Sequence, residues 1–335
     1  MTSVSIKKRA GTLPDLSPNF IWTARKRSED LKTVGAIRSA FYGLANKPAP
    51  LLTLDTTKIK KGDGLKIVNL SLAPHSLSGV NVCPSSTKEC RANCIGHTAG
   101  LNKFETQQIG KLWRTQLLFT DFDCFMRLLL AELNAVVRNN GPIAFRANTY
   151  SDLDWSRYEH LIRDAIGSDS VRFEYTKRKA FVSGNRSLSH SKKKNGFDLT
   201  DSPLKNGVFY AFSGRGPKFD SPEFLNSVIE RGHNCALVVD ELPTTKTLWG
   251  KPWISGDAND RNVYLVDGHY LLLTPKGTLS NSSNFVYRIG DADSDFAARL
   301  KDSELVNRSV SDSKQKNEFD LTHSPLKNGQ KGVKS

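Results

Sequence analysis

Cys83, Cys90 and Cys94 stand in a C-x6-C-x3-C arrangement, and His97 follows three residues later. Three thiols so close together, in a chain with no visible secretory leader, read as metal ligands rather than as a disulfide framework. Two metals fit. Zinc takes four ligands in a closed tetrahedron, and Cys83, Cys90, Cys94 and His97 would complete a structural Cys3His site. An iron–sulfur cluster on three thiolates instead leaves one iron open to substrate or to a cofactor such as S-adenosylmethionine. The usual spacing for that radical chemistry is C-x3-C-x2-C, which this chain lacks, and the spacing alone leaves the metal open. Cys124, on a helical stretch, and Cys235, just before a strand, read as small buried hydrophobes.

A second set of candidates follows the β-rich runs. Arg146, Asn148, Ser151 and Asp152 come after one run, Thr176 and Lys177 after another, Ser213 and Arg215 after a third, Asp240 and Glu241 after a fourth. Ligands of α/β proteins bind at the carboxyl ends of the strands, and polar groups recurring there are the trace an active site leaves. Loops are polar in any case, so the weight lies on the recurrence rather than on any one residue. Arg146, Asn148, Asp152, Lys177 and Ser213 are the residues expected to line a cleft. Arg or Lys would hold a phosphate or carboxylate, and Asp152 a ribose hydroxyl or a proton. Asp257 and Asp260 would add carboxylates to the same site or form a hard-metal position, the plainer alternative for Asp257 being an Asx-turn. Trp113, Tyr150, Trp155 and Tyr175 would stack bases if they are not core.

These residues need a frame. Strand-like runs are Lys66–Leu72, Ile143–Asn148, Val171–Tyr175, Val208–Ser213, Ala236–Asp240, Val263–Val266 and Tyr270–Thr274. Helical spacing covers Lys103–Phe119 and Phe122–Val137, with Asp121 or Thr120 as N-cap of the second. Tyr158–Ile166 and Pro222–Arg231 read as further helices. The alternation predicts an α/β chain: a mostly parallel sheet or partial (β/α) barrel, with a cysteine-rich loop after the first strand and a β-rich C-terminal end.

The chain has 335 residues, with 48 Lys and Arg against 34 Asp and Glu, a formal charge of +14. Residues 1–61 hold 12 basic side chains and 4 acidic ones, and no acid interrupts the basic residues from Lys177 to Lys194. Such excess speeds encounter with polyanions, of which nucleic acid is the commonest, although it also merely keeps proteins soluble. No apolar run reaches the ~18 residues of a membrane helix, and no hydrophobic block follows the first basic residues. The chain is therefore expected to be cytoplasmic and free of membrane. There is no P-loop, dinucleotide fingerprint, H-E-x-x-H or nucleophile elbow.

Residues Asn185–Gly207 and Asn307–Gly329 match at 18 of 23 positions. Two distant copies do not make a solenoid, and their Ser, Lys and Asn content offers little to bury. The expected organisation is a basic N-terminal segment over 1–30, one α/β domain over 31–295 with a polar insert at 185–207, and a polar tail over 296–335 bearing the second copy.

The run LSLAPHSLSGVNVCPSSTKECRANCIGHTAG (Leu70–Gly100) resembles the gene product 88 family of phage-encoded proteins. The resemblance continues through FRANTYSDLDW (Phe145–Trp155), EYTKR (Glu174–Arg178), YAFSGR (Tyr210–Arg215), GHNCALVVD (Gly232–Asp240), WISGDANDRNVYLVD (Trp253–Asp267) and LLLTPKG (Leu271–Gly277). It spans about residues 65–290 in order. It implies a phage or prophage origin, hence a host-cell cytoplasm, and it stresses the cysteine triad and the R-x-N…S-D segment. The family does not hold histidine reliably at the position of His97, which weighs against zinc. The expected function is a metalloenzyme with a three-cysteine iron–sulfur cluster acting on a nucleotide or nucleic acid. The alternatives are a nucleic-acid-binding protein with a structural zinc, and an interaction protein without chemistry.

Overall fold

A computed structural model describes residues 12–20, 50–54, 65–185, 208–281 and 283–290. The chain divides into two units, residues 1–289 and 290–335, and of the second only Gly290 is described. The expected polar tail with its repeat copy lies outside the described residues, as do nearly all of the insert 185–207 and most of the segment 1–30.

Nine strands form one sheet: β1 (Leu52–Leu54), β2 (Lys66–Leu70), β3 (Ile143–Arg146), β4 (Val171–Thr176), β5 (Phe209–Ser213), β6 (Asn234–Val238), β7 (Thr247–Leu248), β8 (Lys251–Ser255) and β9 (Tyr270–Leu273). Their spatial order is β1-β2-β3-β4-β5-β6-β9-β8-β7. The strands from β2 to β8 in that order pair in parallel, while β1 and β7 pair antiparallel at the two edges. The sheet is thus open, and the barrel alternative is not realised. β9 lies between β6 and β8, so the chain steps past its place and returns.

Eight α-helices accompany the sheet among the described residues: α1 (His75–Ser78), α2 (Lys88–Ala92), α3 (Ile95–Thr98), α4 (Glu105–Thr120), α5 (Phe122–Asn140), α6 (Glu159–Ile166), α7 (Pro222–Glu230) and α8 (Asn262–Leu265). α5 begins as its sequence dictates. The Asp121 carboxylate accepts from the Cys124 N–H at 3.0 Å, satisfying a donor that the first turn cannot. It stops at Gly141, whose φ of 75° ends the right-handed turn.

Side chains alternate across the strands and give the sheet two different faces. Val68, Leu70, Ile143 and Phe145 pack with Leu117, Phe125, Leu129 and Leu133 of the long helices α4 and α5 and with Ile162 of α6. Ile67, Ala144, Phe173, Phe209 and Ala211 point the other way and meet Val263 and Tyr264 of α8. The expected strand Val263–Val266 is therefore corrected to a helical turn. A four-residue apolar run has no period of its own, and here the chain must cross back over the sheet before β9.

Candidate functional site

The loops after β2, β3, β4 and β5 converge at the carboxyl edge of the sheet. The segment bearing the cysteines is the loop between β2 and α4, and α4 forms its backing. The Thr115 hydroxyl accepts from the Ala73 N–H at 2.8 Å, and the Arg114 guanidinium donates to the carbonyls of Pro50 (2.8 Å) and Ser71 (3.3 Å). Thr87 caps α2 by accepting from the Cys90 N–H at 3.1 Å, which fixes the second cysteine. Cys94 stands at the N-terminus of α3. Gly96 must be glycine-small: a Cβ there would lie 2.9 Å from Cγ of the Tyr150 ring.

The β3 loop is stitched to this segment. The Asp152 N–H donates to the Val82 carbonyl at 2.8 Å, and the Cys83 thiol donates to the Tyr150 carbonyl at 3.4 Å. The loop is held from below by the buried Glu174, whose carboxylate accepts from the N–H groups of Ala147 (3.0 Å) and Asn148 (2.9 Å) and from Arg172 (2.9 Å). Arg172, 1% exposed, also donates to Glu159 at 3.1 Å and to the Phe145 carbonyl. A crevice between Asn148, Asp152, Trp155, Arg172, Glu174 and Tyr210 is too narrow for water, so it is packing rather than a ligand pocket.

The three cysteines share one electrostatic neighbourhood. Burial pushes the Cys83 thiol well up, Asp152, Cys90 and Cys94 push it further, and Lys177 pulls it down. Cys94 is raised by burial and by Cys90, against the Gly96 N–H, Lys177 and Lys111. Without an added positive charge, burial thus keeps the Cys83 and Cys94 sulfurs protonated. Among the described residues, no group of three or more His, Cys, Asp or Glu side chains is gathered tightly enough to hold a single metal ion. His97 turns aside: its Nδ1 lies 3.2 Å from the Ser76 hydroxyl, and burial and Lys111 lower its pKa.

The other expected site residues divide into two kinds. Lys177 reaches across from β4 to the Ser213 hydroxyl of β5, 2.6 Å away, and its charge is felt at Cys83, Cys94 and Asp152. Arg146 is part-exposed, with its guanidinium 4.5 Å from the centre of the Tyr175 ring. Asn148, in contrast, is consumed by its own loop. Its Oδ1 accepts from Ser151, Leu153 and Trp155, and its Nδ2 donates to the Leu153 carbonyl. Asp152, 4% exposed, accepts from the Thr176 hydroxyl (2.8 Å) and the Lys177 N–H (3.1 Å), and burial raises its pKa against those bonds.

Asp257 accepts from both Thr274 groups and pairs with Lys276. Asp260 makes its charge felt at Tyr150 and Tyr175. Cys124 and Cys235 are buried as expected. Of the four aromatics, Trp113 and Trp155 are core, while Tyr150 and Tyr175 are part-exposed beside Arg146.

Two contributors escape a reading of the sequence. Glu174 sits inside a strand, and only its alternation onto the helix-covered face marks it. Lys111 is 2% exposed on α4. It shares a helical stripe with Arg114 and Leu118, where a lysine is out of place, and that was the available signal.

The Gene product 88 family matches residues 45–289, well over half of the chain. The chain belongs to that family. The match takes in the cysteine segment, all the expected site residues and every strand of the sheet. No curated protein and no solved structure matches the chain.

Proposed function

We propose that the protein is a metalloenzyme that holds an iron–sulfur cluster on Cys83, Cys90 and Cys94 and acts on a nucleotide or nucleic-acid substrate. What supports this most is the placing of three thiols in one segment at the carboxyl ends of parallel strands, with Cys83 bonded to the Tyr150 carbonyl, Lys177 bonded to Ser213 nearby and Lys111 bonded to the turn after Cys94. A single zinc needs all its sulfurs within about 2.3 Å of one point. A cluster gives each thiolate its own iron and spaces the sulfurs further apart.

A cluster on three thiolates supplies an open iron for substrate or for a cofactor such as S-adenosylmethionine. The chain's own residues would do the rest. Lys177, oriented by Ser213, would hold an anionic group of the substrate beside the sulfurs. Arg146 on Tyr175 would offer a second cation and a flat surface for a base. Asn148 and Asp152 would act through position, the first shaping the loop and the second fixing the Lys177 backbone. The +14 charge supports a polyanionic partner.

Anaerobic purification of the full chain with metal analysis and absorption spectroscopy tests this. The expected result is a brown protein with stoichiometric iron and inorganic sulfide. A colourless protein with one zinc per chain would overturn the proposal in favour of a structural site, for which His97 would have to leave Ser76. A protein that stays metal-free after anaerobic reconstitution with iron and sulfide would overturn both.

A further inference from the structure

Two loops at the carboxyl edge, apart from the cysteine segment, carry a surplus of positive charge. Residues 177–183, after β4, hold Lys177, Arg178 and Lys179 and no acid. Residues 214–220, after β5, hold Arg215 and Lys218 against Asp220. β4 and β5 are parallel neighbours, so the two loops leave the sheet side by side. Their side chains meet. Lys177 Nζ lies 2.6 Å from the Ser213 hydroxyl, and Lys179 Nζ lies 3.9 Å from Asp220 and 3.9 Å from the centre of the Phe224 ring. Asp220 is 1% exposed and accepts from the backbone N–H (2.7 Å), Nε (3.0 Å) and Nη2 (2.6 Å) of Arg215. That acid offsets one of the five cations, and Lys179 and Lys218 stand exposed at the rim.

Both loops are held in place by the fold. In the first, Arg178 donates to the Asp152 carbonyl at 3.0 Å, and the buried Phe181 stacks on Tyr210 with ring centres 4.8 Å apart. In the second, Gly216 has a φ of 106°, and a Cβ there would lie 2.5 Å from the Asn284 carbonyl oxygen, so the turn requires glycine. The turn puts Phe219 at the surface, 46% exposed. Its N–H donates to the Gly216 carbonyl at 2.9 Å and its carbonyl accepts from Arg215 at 3.1 Å, so the ring cannot retreat.

A lone exposed ring is ordinary. A ring fixed beside a row of cations suits a chain of phosphates with unpaired bases, since the cations take the phosphates and the ring takes a base. A duplex keeps its bases stacked on one another and offers the ring none. The next loop along the edge, after β6, opens with Asp240 and Glu241. Acids there turn a polyanion back toward Lys177 and, beyond it, Arg146 at the end of β3.

We propose that the paired loops after β4 and β5 are the binding surface for single-stranded nucleic acid, with Lys179 and Lys218 on its phosphates, Phe219 against one base and Lys177 at the inner end. The inference rests on the nucleic-acid part of the function proposed above and on no metal. It narrows the substrate from a nucleotide of any size to a strand that extends over two loops.

The test uses the full chain and fluorescence anisotropy of a labelled oligothymidylate of about 15 nucleotides, with a labelled duplex of equal length for comparison and thymidine monophosphate as competitor. The wild type should bind the single strand about tenfold more tightly than the duplex, from the stacked base. Phe219→Ala should weaken the single strand by about tenfold and leave the salt dependence as it is. Lys179→Gln with Lys218→Gln should flatten the slope of log affinity against log salt by about 1.4, two phosphate contacts being lost. Lys66→Gln removes a charge at the amino end of β2 and should leave that slope unchanged.

Melting temperatures identify a variant that fails to fold. Lys218→Gln alone, with half the change in slope, decides the matter if Lys179 proves necessary for its contact with Phe224. Unchanged affinity and slope in folded Lys218→Gln and Phe219→Ala, with the wild type binding, would overturn this surface and leave nucleic acid as the partner. An equal flattening by Lys66→Gln would do the same. Equal affinity for the two oligonucleotides would overturn the single strand. A wild type that binds no oligonucleotide would overturn the inference, and one that also ignores thymidine monophosphate would overturn the nucleotide reading with it.

Discussion

Arg146 and Asn148 stand two residues apart on one loop and have unlike fates. Asn148 spends its carbonyl oxygen and one amide hydrogen inside the turn Asn148–Trp155, so its side chain has little left for a ligand. Arg146 binds the carbonyls of Asn148 and Thr149 yet keeps a guanidinium face on Tyr175. From sequence both were polar groups after a strand, and residue type could not separate the one that turns inward from the one that stays part-exposed on Tyr175. Asp257 gives a measurable consequence at this scale. Burial works to raise its pKa, but Lys276 and Thr274 win and hold it below the usual carboxylate range. A depressed folded pKa contributes stability above the unfolded value of about 4, and that stability is lost as pH falls through the folded value. Asp257→Asn should thus lower the free energy of urea unfolding at pH 7 by less than about 1 kcal/mol, the pair being partly exposed. The difference between wild type and variant should shrink as pH falls below about 4. A difference that grows on acidification would contradict this account of the ion pair.

Among the elements, the shortest ones carry two of the three candidate cysteines. α2 is five residues long and exists because Thr87 accepts the Cys90 N–H, since a single turn has almost no stability of its own. Thr87→Ala should remove about 1 kcal/mol from that turn. Because Cys90 rides on it, iron affinity on anaerobic reconstitution should weaken by about fivefold while the melting temperature of the whole chain barely moves. A large loss of global stability with unchanged affinity would show that the cap serves the core and not the ligand set. The longer elements were legible: α5 from its apolar stripe and the Asp121 cap, and six of the nine strands from runs of β-branched and aromatic residues. The three missed strands, β1, β7 and β8, lie at or next to the sheet edges, and β1 and β7 are only three and two residues long. Those two are too short for a period to show, and β8 starts Lys-Pro, where proline discourages a strand assignment. The helical turn α8 was read as a strand because Val263 to Val266 is apolar throughout. The cysteine segment was legible as a candidate ligand set from type and spacing, and its place at the carboxyl edge of the sheet was not. Lys111 was not, because a helix lysine is ordinarily a solvated one and only the packing of α3 and Tyr150 over it makes it otherwise.

Taken whole, the chain is strongly basic, and no described helix is long and apolar enough to cross a membrane. If the substrate is a nucleic acid, binding of a short oligonucleotide should weaken linearly in log affinity against log salt, as displaced counterions require. An affinity that ignores salt between about 50 and 200 mM would confine the partner to a small nucleotide or remove nucleic acid from the account. The path of the chain through the sheet has a consequence of another sort. Among the described strands β9 is the last in sequence, yet it lies between β6 and β8. On the ribosome, both neighbours emerge before the strand that joins them. Until Tyr270 to Leu273 appears, the nascent chain presents two raw edges separated by the width of one strand. Such a slot is an invitation to a strand from a neighbouring polysome. Synthesis of those four residues fills the slot and leaves only the short strands β1 and β7 as edges of this sheet.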